Sequence, residues 1–292
     1  MIWVVGDKGM LGQEIGGLLK VEGLKWVGSD REVDFLDPVA LREFAKENSP
    51  SHIVNCAAYT AVDRAEDEEA LALRLNAEGP ENLAKLSVDF GARLIHISTD
   101  YVFSGDSSVP YTESEPVNPS GAYGRTKAEG ERRILAVAPD AIIIRTAWLY
   151  GRHGPNFVST MIRLMKERDS LGVVADQRGS PTWARDLAAA ILQIVSIAEF
   201  PSGIYHYTNE GETTWHEFAV EIQKQGLEMG ILNRSCPIRA LRTEEYPTRA
   251  KRPRYSVLDK SKIRSFGVYV PEWRRSLYSY LSQLTMENER SR

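Results

Sequence analysis

Residues 2–19, Ile2-Trp3-Val4-Val5-Gly6-Asp7-Lys8-Gly9-Met10-Leu11-Gly12-Gln13-Glu14-Ile15-Gly16-Gly17-Leu18-Leu19, pass from an apolar run through a glycine turn into a helical pattern. Strand, tight turn and helix in that order open a parallel α/β fold. Glycines at 6, 9 and 12 let the backbone approach a pyrophosphate, whose charge is met by amide groups and by the positive end of the helix dipole. The spacing is G-x-x-G-x-x-G, so the usual G-x-G-x-x-G fingerprint applies by analogy. Three glycines in seven residues also suit an ordinary turn, but their place between a strand and a helix favours phosphate binding.

Working outward, residues 24–27 form a second apolar stretch that ends in Ser29-Asp30-Arg31. Asp30 follows Gly12 by 18 residues, where an acid binds the adenosine ribose hydroxyls. Arg31 offers instead a guanidinium for the 2′-phosphate of NADP, so NADPH and NADH both stay open. Asp37-Pro38 places a capping acid before a proline at the first helical position, and this helix should end near Asn48. Residues 52–55 read as a third strand leading into Cys56-Ala57-Ala58-Tyr59, whose small side chains let a cofactor lie near the backbone. Helical segments at 62–75 and 78–90, a strand at 94–97 and another at 141–145 complete the pattern. Alternation of this kind predicts a Rossmann-type doubly wound parallel sheet.

Two clusters carry the chemistry: Ser98-Thr99-Asp100-Tyr101-Val102-Phe103 and Tyr123-Gly124-Arg125-Thr126-Lys127. The run 122–137 has helical composition, so Tyr123 and Lys127, four residues apart, share a face. A tyrosine with a pKa near ~10 is a poor acid at neutral pH, and a nearby ammonium is expected to lower that value. Thr99 falls at the carboxyl end of its strand, where open sheets bind ligands, and its hydroxyl suits a substrate oxygen. A Tyr-x-x-x-Lys pair also occurs on solvated helix faces; the company of the glycine turn and of Thr99 separates this one from them.

After Gly151 the pattern loosens. A helix is predicted at 156–166, a short strand at 171–174, a polar loop at 176–181, an apolar helix at 184–197 and a strand at 203–207. Thr214-Trp215-His216-Glu217 is a capping box opening a helix through Gln225, which gives His216 a structural explanation. Beyond Gly226 the chain is rich in Arg, Pro and Tyr, no further element is placed, and the charged end 287–292 is expected to fray. Arginine forks suit a diphosphate, and Arg252 is the one singled out. Two parts follow: 1–150 for an NAD(P)-binding domain and 151–292 mainly for a smaller mixed α/β substrate domain.

With 36 basic and 40 acidic residues the 292-residue chain carries a net −4, which argues against nucleic acid as a partner. A hydrophobic share of 42% supports a sizeable core; no membrane-length apolar run occurs, and no signal peptide is expected. Together with two cysteines that form no framework, this predicts a soluble, cytoplasmic protein away from membranes. His52, His96, His153, His206 and His216 show no paired ligand spacing, so structural roles are expected for each. Repeats and low-complexity linkers are absent.

These motifs, together with Asn55–Asp63 (NCAAYTAVD), Arg145–Tyr150 (RTAWLY), Asp176–Thr182 (DQRGSPT) and Arg252-Pro253, resemble the extended short-chain dehydrogenase/reductases. Within them the chain is similar to the dTDP-4-dehydrorhamnose reductase family over nearly its whole length. The resemblance implies hydride transfer from NADPH or NADH to the C4 ketone of a dTDP-linked 4-keto-6-deoxysugar, with Thr99, Tyr123 and Lys127 as catalytic triad. Lys127 is also expected to bind the nicotinamide ribose, and Tyr123 to border the cofactor. It further implies cofactor contacts at Gly6, Gly9, Met10, Leu11 and Gly12, at Asp30, Arg31, Asp34 and Phe35, and at Ala57, Ala58, Tyr59 and Thr60. Substrate contacts are implied at Thr99, Asp100, Trp148, Asn156 and Arg252; Trp148 also suits the role physically, since an indole packs on a sugar or base while its N–H finds a partner.

Some family members hold magnesium at a dimer interface with clustered glutamates. Here Glu14 is kept, but Arg185 stands at a second such position, so no metal is expected and a homodimer is left open. Sugar-nucleotide 4,6-dehydratases place a glutamate after the Thr-Asp pair, where this chain has Tyr101, and that favours a simple reductase. Two alternatives remain: reduction of another nucleotide-linked 4-keto-6-deoxysugar, and a non-catalytic cofactor-binding subunit resembling that of methionine adenosyltransferase.

Overall fold

The computed structural model describes residues 1–290. Its first half builds β1 (Ile2–Val5), α1 (Met10–Val21), β2 (Trp26–Ser29), α2 (Pro38–Asn48) and β3 (His52–Asn55). Then come α3 (Val62–Ala65), α4 (Glu69–Leu73), a π-helical turn (Arg74–Glu78), α5 (Gly79–Phe90), β4 (Arg93–Thr99), α6 (Ala122–Val137), β5 (Ile142–Thr146) and β6 (Leu149–Tyr150). The second half supplies α7 (Phe157–Glu167), β7 (Leu171–Val174), β8 (Arg178–Gly179), β9 (Thr182–Trp183), α8 (Ala184–Ser196) and β10 (Gly203–His206). It ends with β11 (Thr213–Thr214), α9 (Trp215–Glu228), β12 (Ile238–Leu241), α10 (Ser261–Ser265) and α11 (Trp273–Arg290).

Six parallel strands form the main sheet in the order β10-β5-β4-β3-β1-β2. Alternate residues of β1 bury to opposite faces: Ile2 and Val4 join a core with α1 and α8, Trp3 and Val5 one with α2 and α5. Strands buried on both faces need a helical layer on each, and that is what the chain supplies. The order reverses between β1 and β3, which is where an open α/β sheet leaves a crevice at its carboxyl edge. Register aligns that edge: Val5 lies opposite Asn55, Asn55 opposite His96, and Thr99 opposite Thr146.

Two segments of the second half return to this sheet. α8 packs on α1 and β10 pairs with β5. The remainder packs around Phe218, Trp183, Trp273 and Leu281.

Several expected bounds shift. The second strand begins at Trp26, because Leu24 closes the turn after α1 with its N–H on the Leu19 carbonyl. The acidic helix expected at 62–75 breaks at Glu66–Glu68: the Glu66 carboxylate accepts the Ala122 N–H, and Glu68 accepts the Tyr59 hydroxyl. The loop expected at 176–181 contains β8, held by antiparallel pairing with β11. Beyond Gly226, where no element is placed from sequence, β12 pairs with β7 and α11 carries through Arg290; Ser291 and Arg292, the end of the segment expected to fray, lie outside the described residues. Among the described residues no helix is long and apolar enough to cross a membrane.

Candidate active site

A cleft of about 680 Å³ runs along the carboxyl edge of the sheet. At one end lies the glycine turn. Gly6 adopts φ +79°, and a Cβ on Gly12 would fall 2.2 Å from the Gly6 carbonyl oxygen, so the turn closes only with glycine at these positions. Gly9 precedes α1 as its N-cap and offers no side-chain cap, and the first turn holds no acid, which leaves the amide groups free for an anion. Asp30, Arg31 and Phe35 line the same end, Ala57, Ala58 and Thr60 the middle. These residues fit a dinucleotide: small side chains where it passes the backbone, an open helix end for phosphate, and hydroxyl- or phosphate-binding groups beyond.

Three of the expected cofactor and substrate residues have other duties. Asp34 turns its carboxylate to the Leu36 N–H. Tyr59 points its hydroxyl away to Glu68 at 2.6 Å. Asn156 caps α7, accepting from Ser159 N–H while its amide donates to the Gly151 carbonyl at 2.7 Å, which leaves it little to offer a substrate. Arg252 does not itself line the cleft; it pairs with Asp63 at 2.5 Å, joining two motifs 189 residues apart, and hydrogen-bonds to Tyr101, which does line it.

At the other end Thr99, Asp100, Tyr123, Lys127 and Trp148 come together. β4 ends at Thr99, whose hydroxyl donates to Asp100 Oδ1 at 2.9 Å and accepts the Tyr101 N–H at 3.2 Å. Burial raises the Asp100 carboxyl to about 6, against its bond from Thr99. α6 presents Tyr123 on the cleft and Lys127 one turn further in, as the four-residue spacing predicts. Glu131, another turn along, meets Arg145 of β5 in a wholly buried pair at 2.7 Å and accepts Ser98 Oγ–H, so α6 is locked to β4 and β5.

The expected influence of Lys127 on the phenol is corrected here. Burial raises the Tyr123 phenol, and a hydrogen bond with Thr99 is what opposes it. The lysine is drawn to β4 instead: its Nζ lies 2.7 Å from the Ile97 carbonyl and 3.1 Å from His96 Nε2. Burial lowers the Lys127 ammonium to about 8. His96, assigned a structural role from sequence, thus touches the candidate machinery, and no local pattern announces it.

Trp148 is held at φ +48°, a strained value for a bulky residue. Its indole stacks on Trp215 of α9, centroids 3.5 Å apart and planes 8° from parallel. Trp215 is also absent from the sequence-derived site, because the two indoles stand 67 positions apart in the chain. Arg185 places Nη1 3.6 Å from Glu14 Oε2, and among the described residues no group of three or more His, Cys, Asp or Glu side chains is gathered for a metal.

Residues 1–286 match the family described as the RmlD substrate binding domain. The chain belongs to that family. A dTDP-4-dehydrorhamnose reductase of Streptomyces griseus is 44% identical over 94% of this chain and 91% of its own. A probable dTDP-4,6-dihydroxy-2-methyloxan-3-one 4-ketoreductase of Streptomyces antibioticus is 43% identical over 95% and 93%. Among solved structures, dTDP-4-dehydrorhamnose reductase of Bacillus anthracis in complex with NADP is 37% identical over 97% of this chain and 98% of that one, with a TM-score of 0.90. As an RmlD family member the chain carries the α/β Rossmann fold read from its sequence.

Proposed function

We propose that this chain is an NAD(P)H-dependent oxidoreductase that reduces the C4 ketone of dTDP-4-dehydro-L-rhamnose to give dTDP-L-rhamnose. The observation that carries the reading is one cleft in which Thr99, Tyr123 and Lys127 stand at the end of β4, continuous with the glycine turn. The near-full-length likeness to reductases of that name supports the substrate. The reduced nicotinamide, when bound, supplies the hydride.

The chain's own residues do the rest. The glycine turn and α1 hold the diphosphate, with Asp30 and Arg31 at the adenosine end. Tyr123 gives its proton to the carbonyl oxygen as the alkoxide forms, a step typically worth ~10²–10⁴-fold in rate. Thr99 holds the phenol and the substrate oxygen in line, Asp100 and Trp148 border the sugar, and Arg252 faces the diphosphate of the substrate. Burial raises the phenol in the free chain, so Tyr123 waits protonated.

A second reading, reduction of a different dTDP-linked 4-keto-6-deoxysugar, draws on the Streptomyces antibioticus relative of nearly equal identity. Turnover with dTDP-4-dehydro-L-rhamnose and with dTDP-4-keto-6-deoxy-D-glucose, followed by NADPH absorbance and by product analysis, separates the two. A higher kcat/KM for the rhamnose precursor is expected; a preference for the glucose-configured ketone replaces it with the second reading. Tight NADPH binding with neither ketone turned over would favour a non-catalytic subunit. A homodimer is compatible with the fold, and sedimentation of the pure chain decides it.

A further inference from the structure

α6 carries Tyr123 in its first turn, yet its own sequence does little to hold that turn. Gly121 stands at the N-cap with no side chain to offer, and no acid follows in the first turn. The Arg125 N–H reaches the Gly121 carbonyl at 3.0 Å, whereas the N–H groups of Ala122, Tyr123 and Gly124 lie too early in the helix for an internal acceptor. Ala122 finds one 56 positions back: Glu66 Oε1 accepts its N–H at 2.9 Å. A Cβ on Gly121 would lie 2.8 Å from the same oxygen, so the glycine makes room for a carboxylate that arrives from another part of the chain. A negative group there also faces the positive end of a 16-residue helix.

The residues next to Glu66 grip the same region. Glu69 takes Arg125 Nε and Nη2 at 2.9 Å each, and Glu68 accepts the Tyr59 hydroxyl at 2.6 Å. Tyr59 sits between Ala58 and Thr60, which line the cofactor side of the cleft. Residues 66–69 thus tie the first turn of α6 to the cofactor wall. From the opposite side the end of β4 presses on it. A Cβ on Gly124 would fall 2.1 Å from the Tyr101 carbonyl oxygen, and the Tyr101 ring meets that of Tyr123 edge-on, centroids 5.5 Å apart and planes at 74°. The Glu69–Arg125 pair is about half exposed, so water competes for it. Glu66 bonds instead to the backbone of Ala122, which is wholly buried.

We propose that Glu66 is a positioning residue for Tyr123: it caps α6 from outside the helix and so holds the phenol in place against Thr99 and the cofactor wall. Its effect on rate rests on Tyr123 being the proton donor proposed above; the capping geometry does not. Without the cap the first turn loosens, while the part of α6 locked to the sheet by the Glu131–Arg145 pair stays. Tyr123 lies in the part that loosens.

The test follows Tyr123 both with and without turnover. In chain carrying ¹³C-labelled tyrosine rings, the Tyr123 signals are assigned by their loss in Tyr123→Phe, and the neighbouring Tyr101 ring displaces them from the values of a free tyrosine. Glu66→Ala should move them back toward those values. It should also lower kcat for the 4-keto sugar nucleotide about 2–30-fold, the factor that a lost cap of about 0.5–2 kcal/mol represents, at unchanged NADPH affinity. Glu66→Gln keeps an acceptor oxygen and should stay near the unaltered chain. The decisive variant is Glu66→Ala combined with Gly121→Asp. Gly121 has φ −126° and ψ 165°, the extended conformation of an ordinary N-cap, and the shortened side chain at 66 clears space for a cap in cis, so signals and kcat should both return. A lower melting temperature in Glu66→Ala with Tyr123 signals and kcat unmoved would show plain stabilisation of α6 and overturn the proposal, as would a loss that the added cap does not restore. Signals that move and return while kcat stays constant would keep the cap and remove the phenol from the reaction. If no ketone is turned over, the substrate assignment fails and the signals alone decide the cap.

Discussion

The indole of Trp148 lies flat on that of Trp215, centroids 3.5 Å apart, and a Cβ added to Gly179 would fall 2.5 Å from Trp148 Cε2. A residue at φ +48° does not hold one orientation unaided; the stack and the bare backbone of Gly179 hold it. Trp215→Ala should therefore loosen the sugar end of the cleft while sparing the glycine turn. An aromatic stack contributes about 0.5–1.5 kcal/mol beyond burial, so kcat/KM for the sugar nucleotide should fall up to about tenfold, with NADPH affinity unchanged and Trp215→Phe largely restored. Gly179→Ala should do the same by pushing Trp148 aside. Equal losses in cofactor and substrate affinity would show a folding defect instead.

Asp100 sets an acid limb. Burial holds its carboxyl up at about 6, so it is protonated below that pH and becomes a stronger acceptor for a sugar hydroxyl above it. kcat/KM should rise as pH increases through about 6 and flatten in Asp100→Asn. The folded chain holds this proton more tightly than an unfolded one, so the stabilisation is complete below the unfolded value near 3.8 and is lost as pH rises through about 6. Asp100→Asn removes that loss, and its urea midpoint at pH 7 should exceed the unaltered chain's. A lower midpoint contradicts the account.

The strand–turn–helix at the amino terminus was legible because each part is local: an apolar run, glycines, then a helical period. The same holds for α2, where Asp37 caps and Pro38 begins the helix, and for α6. What stayed hidden depends on distant partners. The break after α3 follows from a carboxylate drawn to Ala122, 56 positions on, and β8 is two residues long with nothing but its pairing to define it. α11 was readable in principle, since Trp273, Leu277, Tyr280 and Leu281 keep a helical period and are all buried. In the site, local motifs placed Thr99, Tyr123 and Lys127, whereas His96 and Trp215 matter only through contacts that the sheet and α9 create.

The Glu131–Arg145 pair locks α6 to the sheet, with relative exposures of 5% and 2%. Removing one charge strands the other, which costs about 3–5 kcal/mol in buried pairs. Glu131→Gln should lower thermal stability by many degrees and weaken turnover through the displaced helix. A change within a few tenths of a kcal/mol would show that water reaches Arg145.

Arg31 is exposed at the end of the cleft that the proposed cofactor placement gives to adenosine, where a guanidinium would pair with a 2′-phosphate. A hydrogen bond to a charged group contributes about 1.5–3 kcal/mol, so Arg31→Ala should weaken NADPH about 10–100-fold while NADH binding stays nearly constant. Equal effects on both cofactors would place the 2′ position elsewhere.

The most direct test of the account is single-turnover NADPH oxidation with dTDP-4-dehydro-L-rhamnose, comparing the unaltered chain with Tyr123→Phe. Oxidation with formation of dTDP-L-rhamnose by the first, and a rate ~10²–10⁴-fold lower in the second at unchanged NADPH affinity, is the predicted result. Full activity in Tyr123→Phe would remove the phenol from the reaction, and no oxidation by the unaltered chain would remove the substrate.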